Sequence, residues 1–139
     1  MFVIWLMNEI LIDTNVFIYA LDKTSIYNKQ SEEILTNNNL TLFTTTKNIS
    51  ELFAITSKLN ISRTITHNFY TEIKRNVGIL FPSNESLMIF EKLIKKYKPE
   101  GNVVFDMEIV PIMLSYNISK LATFNVKDFK SIEEIVVFK

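Results

Sequence analysis

Residues Glu9-Ile10-Leu11-Ile12-Asp13-Thr14-Asn15-Val16-Phe17-Ile18-Tyr19 decide the fold. Ile10-Leu11-Ile12 is a short unbroken apolar run that stops at an acid, the pattern of a central strand buried on both faces of a parallel sheet. From about Asn15 to Ala20 the chain reads as a helix. A strand that ends on a carboxylate and hands over to a helix is a first unit of an α/β domain. In such sheets ligands sit beyond the carboxyl ends of the strands.

Outward from this unit the same alternation continues. Residues 29–37 read as a helix, and Leu40 to Phe43 as a strand running into Thr44-Thr45-Thr46. Ile49, Leu52, Phe53 and Leu59 then recur at helical spacing. Residues 64–76 make an amphipathic helix ended by Gly78, and Ile79-Leu80-Phe81 a strand stopped by Pro82. Ser83 or Asn84 caps the next helix, which runs to Tyr97, and Pro99-Glu100-Gly101-Asn102 is a turn. Val103 to Tyr116 reads as one strongly apolar helix. Pro111 lies inside it and lacks the amide that would bond the Met107 carbonyl, so a kink is expected there. Lys120-Leu121-Ala122-Thr123 and Ile135-Val136-Val137-Phe138 are the last strands. The expectation is an α/β fold with a largely parallel sheet, one domain over residues 1–139, without repeats or linker.

The opening run Met1-Phe2-Val3-Ile4-Trp5-Leu6-Met7 is apolar but short of the roughly 20 residues that span a bilayer. It lacks the basic start and small-residue cleavage site of a signal peptide. Residues 1–7 read as a strand extension, or as sequence upstream of a start at Met7, and no membrane association is expected.

Composition narrows the chemistry. At 139 residues, 47% of them hydrophobic and 22% charged, the chain is globular and large enough to bury a core. With no cysteine, disulfide scaffolds, thiolate zinc sites and cysteine nucleophiles are excluded, and a cytoplasmic location fits. A single histidine, His67, cannot build a multi-histidine metal site, and Gly78 and Gly101 cannot supply a glycine-rich phosphate loop. Acids and bases balance at fifteen each, which argues against coating nucleic acid by bulk attraction. Withdrawing four acids into a site would leave fifteen cations against eleven acids, a mildly basic outer surface. The ligands available in quantity are oxygens, which suit Mg²⁺ or Mn²⁺.

Four acids fall where the topology places chemistry. Asp13 ends the first strand, where it caps the next helix, aims a carboxylate into the crevice, or both. Glu51 lies one turn beyond Asn48, a spacing that also suits a capping box in which the glutamate reaches back to a free amide. Asp106 sits in the apolar stretch Val103-Val104-Phe105-Asp106-Met107, where a buried carboxylate requires a cation, a partner or a raised pKa. Glu108, two residues on, points the opposite way along a helix and reads as a solvent or interface residue. Asp128 follows the late strand in a loop, where acids often form turns. Convergence of four acids requires a divalent cation to offset their repulsion. Mg²⁺ keeps several waters and takes one or two carboxylates directly, and such a site activates water for attack at phosphorus.

Taken together, Leu11-Ile12-Asp13-Thr14-Asn15-Val16-Phe17-Ile18-Tyr19, Asn48-Ile49-Ser50-Glu51-Leu52, Asp106 and Leu121-Ala122-Thr123-Phe124-Asn125-Val126-Lys127-Asp128-Phe129 resemble the PIN domain family of metal-dependent nucleases, in particular the VapC-type toxins of toxin–antitoxin pairs. The resemblance implies a twisted, mainly parallel sheet flanked by helices on both faces. It implies Asp13, Glu51 and Asp106 as the core metal site with Asp128 as fourth acid, and Asn15, Thr123 and Asn125 orienting carboxylates or waters. It further implies Mg²⁺- or Mn²⁺-dependent hydrolysis of RNA phosphodiesters leaving a 5′ phosphate, a homodimer, and a small antitoxin protein that covers the groove. Asn125 is neutral where some relatives carry an acid, which leaves one-metal chemistry open.

Cations for an RNA substrate are Lys47, Lys58, Arg63, Lys127 and Lys130. Lys92, Lys95, Lys96 and Lys98 form a second basic stretch that reads mainly as a solvated helix face. Tyr19, Tyr27 and Tyr70 suit stacking on bases, contact with an antitoxin, or packing. Rival readings are an aspartyl phosphotransfer or receiver-like domain, a non-catalytic binding module, and an RNA-processing PIN nuclease without antitoxin. The first is disfavoured by Asn15, where a second carboxylate would be needed, and by Lys120, which precedes its strand when it should follow it.

Overall fold

A computed structural model describes residues 8–138, so the readings of residues 1–7 lie outside the described residues. Five strands, β1 (Glu9–Ile12), β2 (Thr41–Thr45), β3 (Gly78–Leu80), β4 (Lys120–Ala122) and β5 (Val136–Phe138), form one sheet in the order β3-β2-β1-β4-β5. Every neighbouring pair is parallel. The helices are α1 (Thr14–Leu21), α2 (Asn28–Leu35), α3 (Thr46–Lys58), α4 (Arg63–Asn76), α5 (Asn84–Tyr97), α6 (Val103–Asp106), α7 (Ile109–Ser115) and α8 (Val126–Phe129). Among the described residues no helix is long and apolar enough to cross a membrane.

The central strand feeds two cores. Ile10 and Ile12 join one apolar cluster with Val16, Phe17 and Leu52, while Leu11 joins another with Leu93, Val110, Met113 and Leu121. This is the period-two alternation of a strand covered on both faces. All three side chains are fully buried, each contributing about 1.5–3 kcal/mol.

From β1 the chain steps outward through β2 to β3, then returns to the other side of β1 for β4 and β5. The order therefore reverses between β1 and β4, which pair through Leu11 with Leu121 and Ile12 with Ala122. The carboxyl ends of these two strands deliver Asp13 and Thr123 side by side.

Side-chain caps start the longer helices. Asp13 accepts from the Thr14 amide at 2.8 Å and caps α1. Ser62 caps α4, and Ser83 forms a reciprocal box with Ser86 on α5. The box on α3 sits one turn earlier than the sequence suggests. It joins Thr45 to Asn48, and Glu51 takes no part.

Four further expectations change. The predicted helix over 103–116 is broken into α6 and α7, because Pro111 occupies the first turn of α7, where its missing amide costs nothing. The Met107 carbonyl accepts instead from the Val110 amide at 3.2 Å, so the proline produces a break and restart in place of a kink. The segment carrying Asp106 is also less buried than its apolar sequence implies, with Phe105 66% exposed. Finally, α8 replaces a loop, and Gly78 opens β3 two residues after α4 has ended.

Gly78 is a glycine because a Cβ there would lie 2.7 Å from Cδ1 and 2.8 Å from Cε1 of Phe43 on the paired strand. Gly78→Ala is expected to lower stability by about 1–3 kcal/mol, read as a shifted urea midpoint at constant slope. An unchanged midpoint would mean that the Phe43 ring yields freely.

Candidate functional site

Asp13 is the anchor. Its Oδ1 accepts from the Thr14 amide at 2.8 Å and from Asn48 Nδ2 at 3.2 Å. Its Oδ2 accepts from Thr123 Oγ1 at 2.7 Å and from Asn15 Nδ2 at 3.4 Å. A carboxylate offers about four acceptor positions. Those of Asp13 are engaged by groups from α1, α3 and the segment after β4, so its orientation is set by three separate pieces of chain. The longest of these bonds, from Asn15, is the one most readily exchanged.

The network extends past Asp13. Thr123 Oγ1 donates to Asp13 and accepts from Asn15 Nδ2 and the Asn125 amide, both at 3.0 Å, which uses its one proton and both lone pairs. Asn15 Oδ1 accepts from the Phe124 amide at 3.1 Å, and Asn125 Nδ2 donates to Asp128 Oδ2 at 2.6 Å. A continuous hydrogen-bonded chain thus runs from Asp13 to Asp128 through Thr123 and Asn125. On the α3 side, Asn48 is buried, donates to Thr14 Oγ1 at 3.0 Å, and accepts from the Thr45 hydroxyl at 2.7 Å.

A cleft of about 150 Å³ opens above this network. Asp13, Glu51 and Asp106 line it, together with Asn15, Asn48, Asn125 and two residues of an ion pair, Lys47 and Glu108. Lys47 Nζ lies 3.1 Å from Glu108 Oε2. Glu108 therefore does not point away from Asp106 as a continuous helix would require, because the break between α6 and α7 turns it into the cleft.

The acids are electrostatically strained. Burial pushes the Asp13 carboxyl up, against its hydrogen bonds from Thr123, Thr14 and Asn48, and the Asp128 charge adds to the rise. Glu51 is raised by desolvation of its carboxyl and then by the Asp13 charge. Asp106 is pushed up to about 6, by desolvation first, then by the adjoining Asp128 carboxyl, with Asp13 and Glu51 adding charge. Raised carboxyls from three elements around one small polar cleft are what a cation would relieve.

The donor set, carboxylate and amide oxygens without sulfur or imidazole, fits a hard divalent ion. Among the described residues no three His, Cys, Asp or Glu side chains form a ready-made cation cage. The arrangement fits an ion that retains much of its water and takes one or two carboxylates directly.

Of the sequence-named cations, Lys47 reaches the cleft. Lys127 and Lys130 are exposed beside α8, close in sequence to Asp128. Lys58 and Arg63 stand at the far end of α3, Arg63 lining a separate hollow with Phe53 and His67. Lys96 of the second basic stretch pairs with Glu133 and Glu134. Sequence reasoning missed Asn48 as the amide that holds Asp13, although Thr45 three residues before it is a capping signal. It also missed Glu108, for which no local signal existed.

A parallel sheet whose order reverses beside an acid-lined cleft defines an α/β domain with its polar site at the switch point. The PIN domain model matches residues 10–135, and the chain belongs to the PIN domain family. Its fold is that of VapC toxin structures. The chain is similar to VapBC2 from Rickettsia felis, a complex bound to a promoter DNA fragment, with TM-score 0.72 and 21% identity over 94% of this chain and 97% of that one. Similar too are Mycobacterium tuberculosis VapC20, a sarcin-ricin loop cleaving toxin (TM-score 0.71, 11% identity, 88% and 95% covered), and VapBC-1 from nontypeable Haemophilus influenzae (0.67, 24%, 94% and 97%). Among curated proteins none matches this chain.

The raised Asp106 carboxyl fixes the sign of a stability effect. Below about pH 4 its proton is bound in folded and unfolded chains alike, and the folded state's tighter hold contributes stability in full. That contribution is lost as pH rises through about 6. Asp106→Asn is expected to stabilise chelator-treated protein by about 1 kcal/mol at pH 7.5, a value discounted for the side chain's partial exposure, and by nothing near pH 4. Urea unfolding at the two pH values checks this, and equal effects at both would contradict the assigned repulsion.

Asn48→Ala strips Asp13, Thr14 and the Thr45 cap of a shared buried partner. It should cost about 1–3 kcal/mol in the same assay, more than Asn125→Ala at the exposed end of the network.

Proposed function

We propose that this chain, acting as a single domain, is a metal-dependent endoribonuclease and the toxin of a toxin–antitoxin pair. The observation that carries the reading is the meeting of Asp13, Glu51 and Asp106 in one cleft at the point where the sheet order of a PIN domain reverses. In this reading Asp13, Glu51, Asp106 and Asp128 hold a Mg²⁺ or Mn²⁺ ion, some through water. When bound, the ion supplies an activated water and charge stabilisation at phosphorus.

The protein's own contribution is position. Thr123, Asn48 and Asn15 hold the Asp13 carboxylate in one orientation, and Asn125 ties Asp128 to the same network. Lys47, fixed at the cleft by Glu108, presents a cation to an incoming phosphate, and Lys127 and Lys130 extend the positive surface beyond it. Lys58 and Arg63 serve only a substrate long enough to follow α3 to its far end.

The partner assignments rest on kinship. Rickettsia and Haemophilus relatives are toxin–antitoxin assemblies, and a toxin–antitoxin complex from Klebsiella pneumoniae shares the fold (TM-score 0.64, 21% identity). This supports a small antitoxin as partner and a cytoplasmic site of action. Phe81, Leu87 and Met88, exposed and close in sequence, are the residues we assign to a homodimer contact.

Purified protein incubated with total cellular RNA is expected to cut in Mg²⁺ or Mn²⁺ and not in EDTA. Asp13→Asn and Asp106→Asn should each lower the rate at least about 100-fold while the fold is retained. A folded wild type that cuts no RNA with either metal, or variants that cut as fast as wild type, would refute the assignment.

A further inference from the structure

Built partly on segments that also carry the cleft residues Asn15 and Asn125, three aromatic rings form a contiguous group outside the fully buried core. Tyr27 and Phe124 lie 4.6 Å apart between centroids at an interplanar angle of 33°, a tilted contact. Tyr19 closes the group at 5.1 Å from Tyr27 and 5.3 Å edge-on to Phe124. Phe124 packs partly against the core, whereas Tyr27 is 37% exposed and its neighbour Ile26 is 87% exposed. The group is thus anchored below and open above.

It is also rigidly placed. Asn28 Nδ2 donates to the Tyr19 and Ala20 carbonyls at 2.8 and 3.2 Å, pinning the start of α2, and Tyr27 with it, to the end of α1. Phe124 lies between Thr123, which holds Asp13, and Asn125, which holds Asp128, and its own amide is bound by Asn15. Phe124 is thus the backbone neighbour of both residues that tie the acid network together. Lys127 and Lys130 follow on the same segment, exposed and in no ion pair among the described residues.

From this juxtaposition we infer that Tyr27, backed by Phe124 and Tyr19, is a stacking platform for an unpaired nucleobase of the RNA strand whose backbone enters the acid cleft. The inference rests on the ribonuclease reading above and makes the substrate single-stranded at that nucleotide. Any base offers a π-face, so the platform orders the strand without selecting its sequence, while nearby lysines meet the phosphates. A base inside a duplex, stacked on both sides, has no face to offer.

The test uses the full chain in EDTA, where no cleavage is expected, and a labelled single-stranded RNA of about 12 nucleotides beside the matching duplex. Tyr27→Ala and Tyr27→Leu should weaken single-strand binding roughly 5- to 100-fold, and Tyr27→Trp should preserve or tighten it. Because stacking releases no counterions, the slope of log K against log salt should stay as in wild type, whereas Lys127→Ala should flatten it. Duplex binding should not change.

Wild-type affinity in both Tyr27→Ala and Tyr27→Leu, in a protein that still cuts RNA through Asp13, would overturn the platform and leave the nuclease standing. Absence of any RNA binding or cutting by wild type would sink both. Loss confined to capture of a co-expressed antitoxin, with RNA affinity intact, would assign the surface to that protein and overturn the inference.

Discussion

A buried carboxylate at the end of the central strand is the constraint around which this molecule is organised. Asp13 is barely exposed, and its environment raises its pKa, so it must be held by hydrogen bonds from every side. Those donors come from α1, α3 and the segment after β4. Satisfying one acid therefore fixes the relative positions of the first helix, the third helix and the switch-point strand. The two apolar cores hold the same elements from below. Core and site agree on one geometry, which is the consistency expected of a sequence that specifies a single structure.

Polar satisfaction also explains why threonine and asparagine crowd this end of the sheet. Thr44 Oγ1 donates to the Ile12 carbonyl at 2.9 Å, and Thr14 Oγ1 to the Asn48 carbonyl at 3.3 Å, both buried. Apolar residues of similar size would remove one hydrogen bond from each carbonyl and, at Thr14, an acceptor for Asn48 Nδ2, at a cost of about 1 kcal/mol each. The Thr44-Thr45-Thr46 run is thus part strand, part cap and part support for the site.

The elements legible in the sequence are those whose signals are local. Ile10-Leu11-Ile12 ending on Asp13 predicts a central parallel strand, and both the pairing and the burial agree. Ser83 marks its helix start because a cap is read from neighbouring residues. What stayed illegible depends on contacts distant in sequence. Asn48 looks like a partner for Glu51 three residues on, yet its amide turns inward to Asp13, 35 residues away. Glu108 looks solvent-facing by helical geometry, and only the restart at Ile109 ahead of Pro111 turns it toward Lys47. Apolar composition overstated the burial around Asp106, because Val103 and Phe105 remain on the surface.

The four acids also differ in how firmly the chain holds them, and the difference follows the repulsion among them. Asp13 sits on the sheet's central strand and Glu51 on a 13-residue helix, whereas Asp106 and Asp128 stand on helices of a single turn. Asp106, with the pKa pushed to about 6, belongs to a four-residue helix that leaves Val103 and Phe105 exposed. Like charges brought together must be opposed by backbone rigidity or relieved by yielding, and a single exposed turn yields most easily. A site built this way sets one hydrogen-bonded reference carboxylate against acids carried on short helices. The break at Met107-Glu108 leaves Asp106 on its short helix, where the apolar sequence suggests a continuous helix over 103–116.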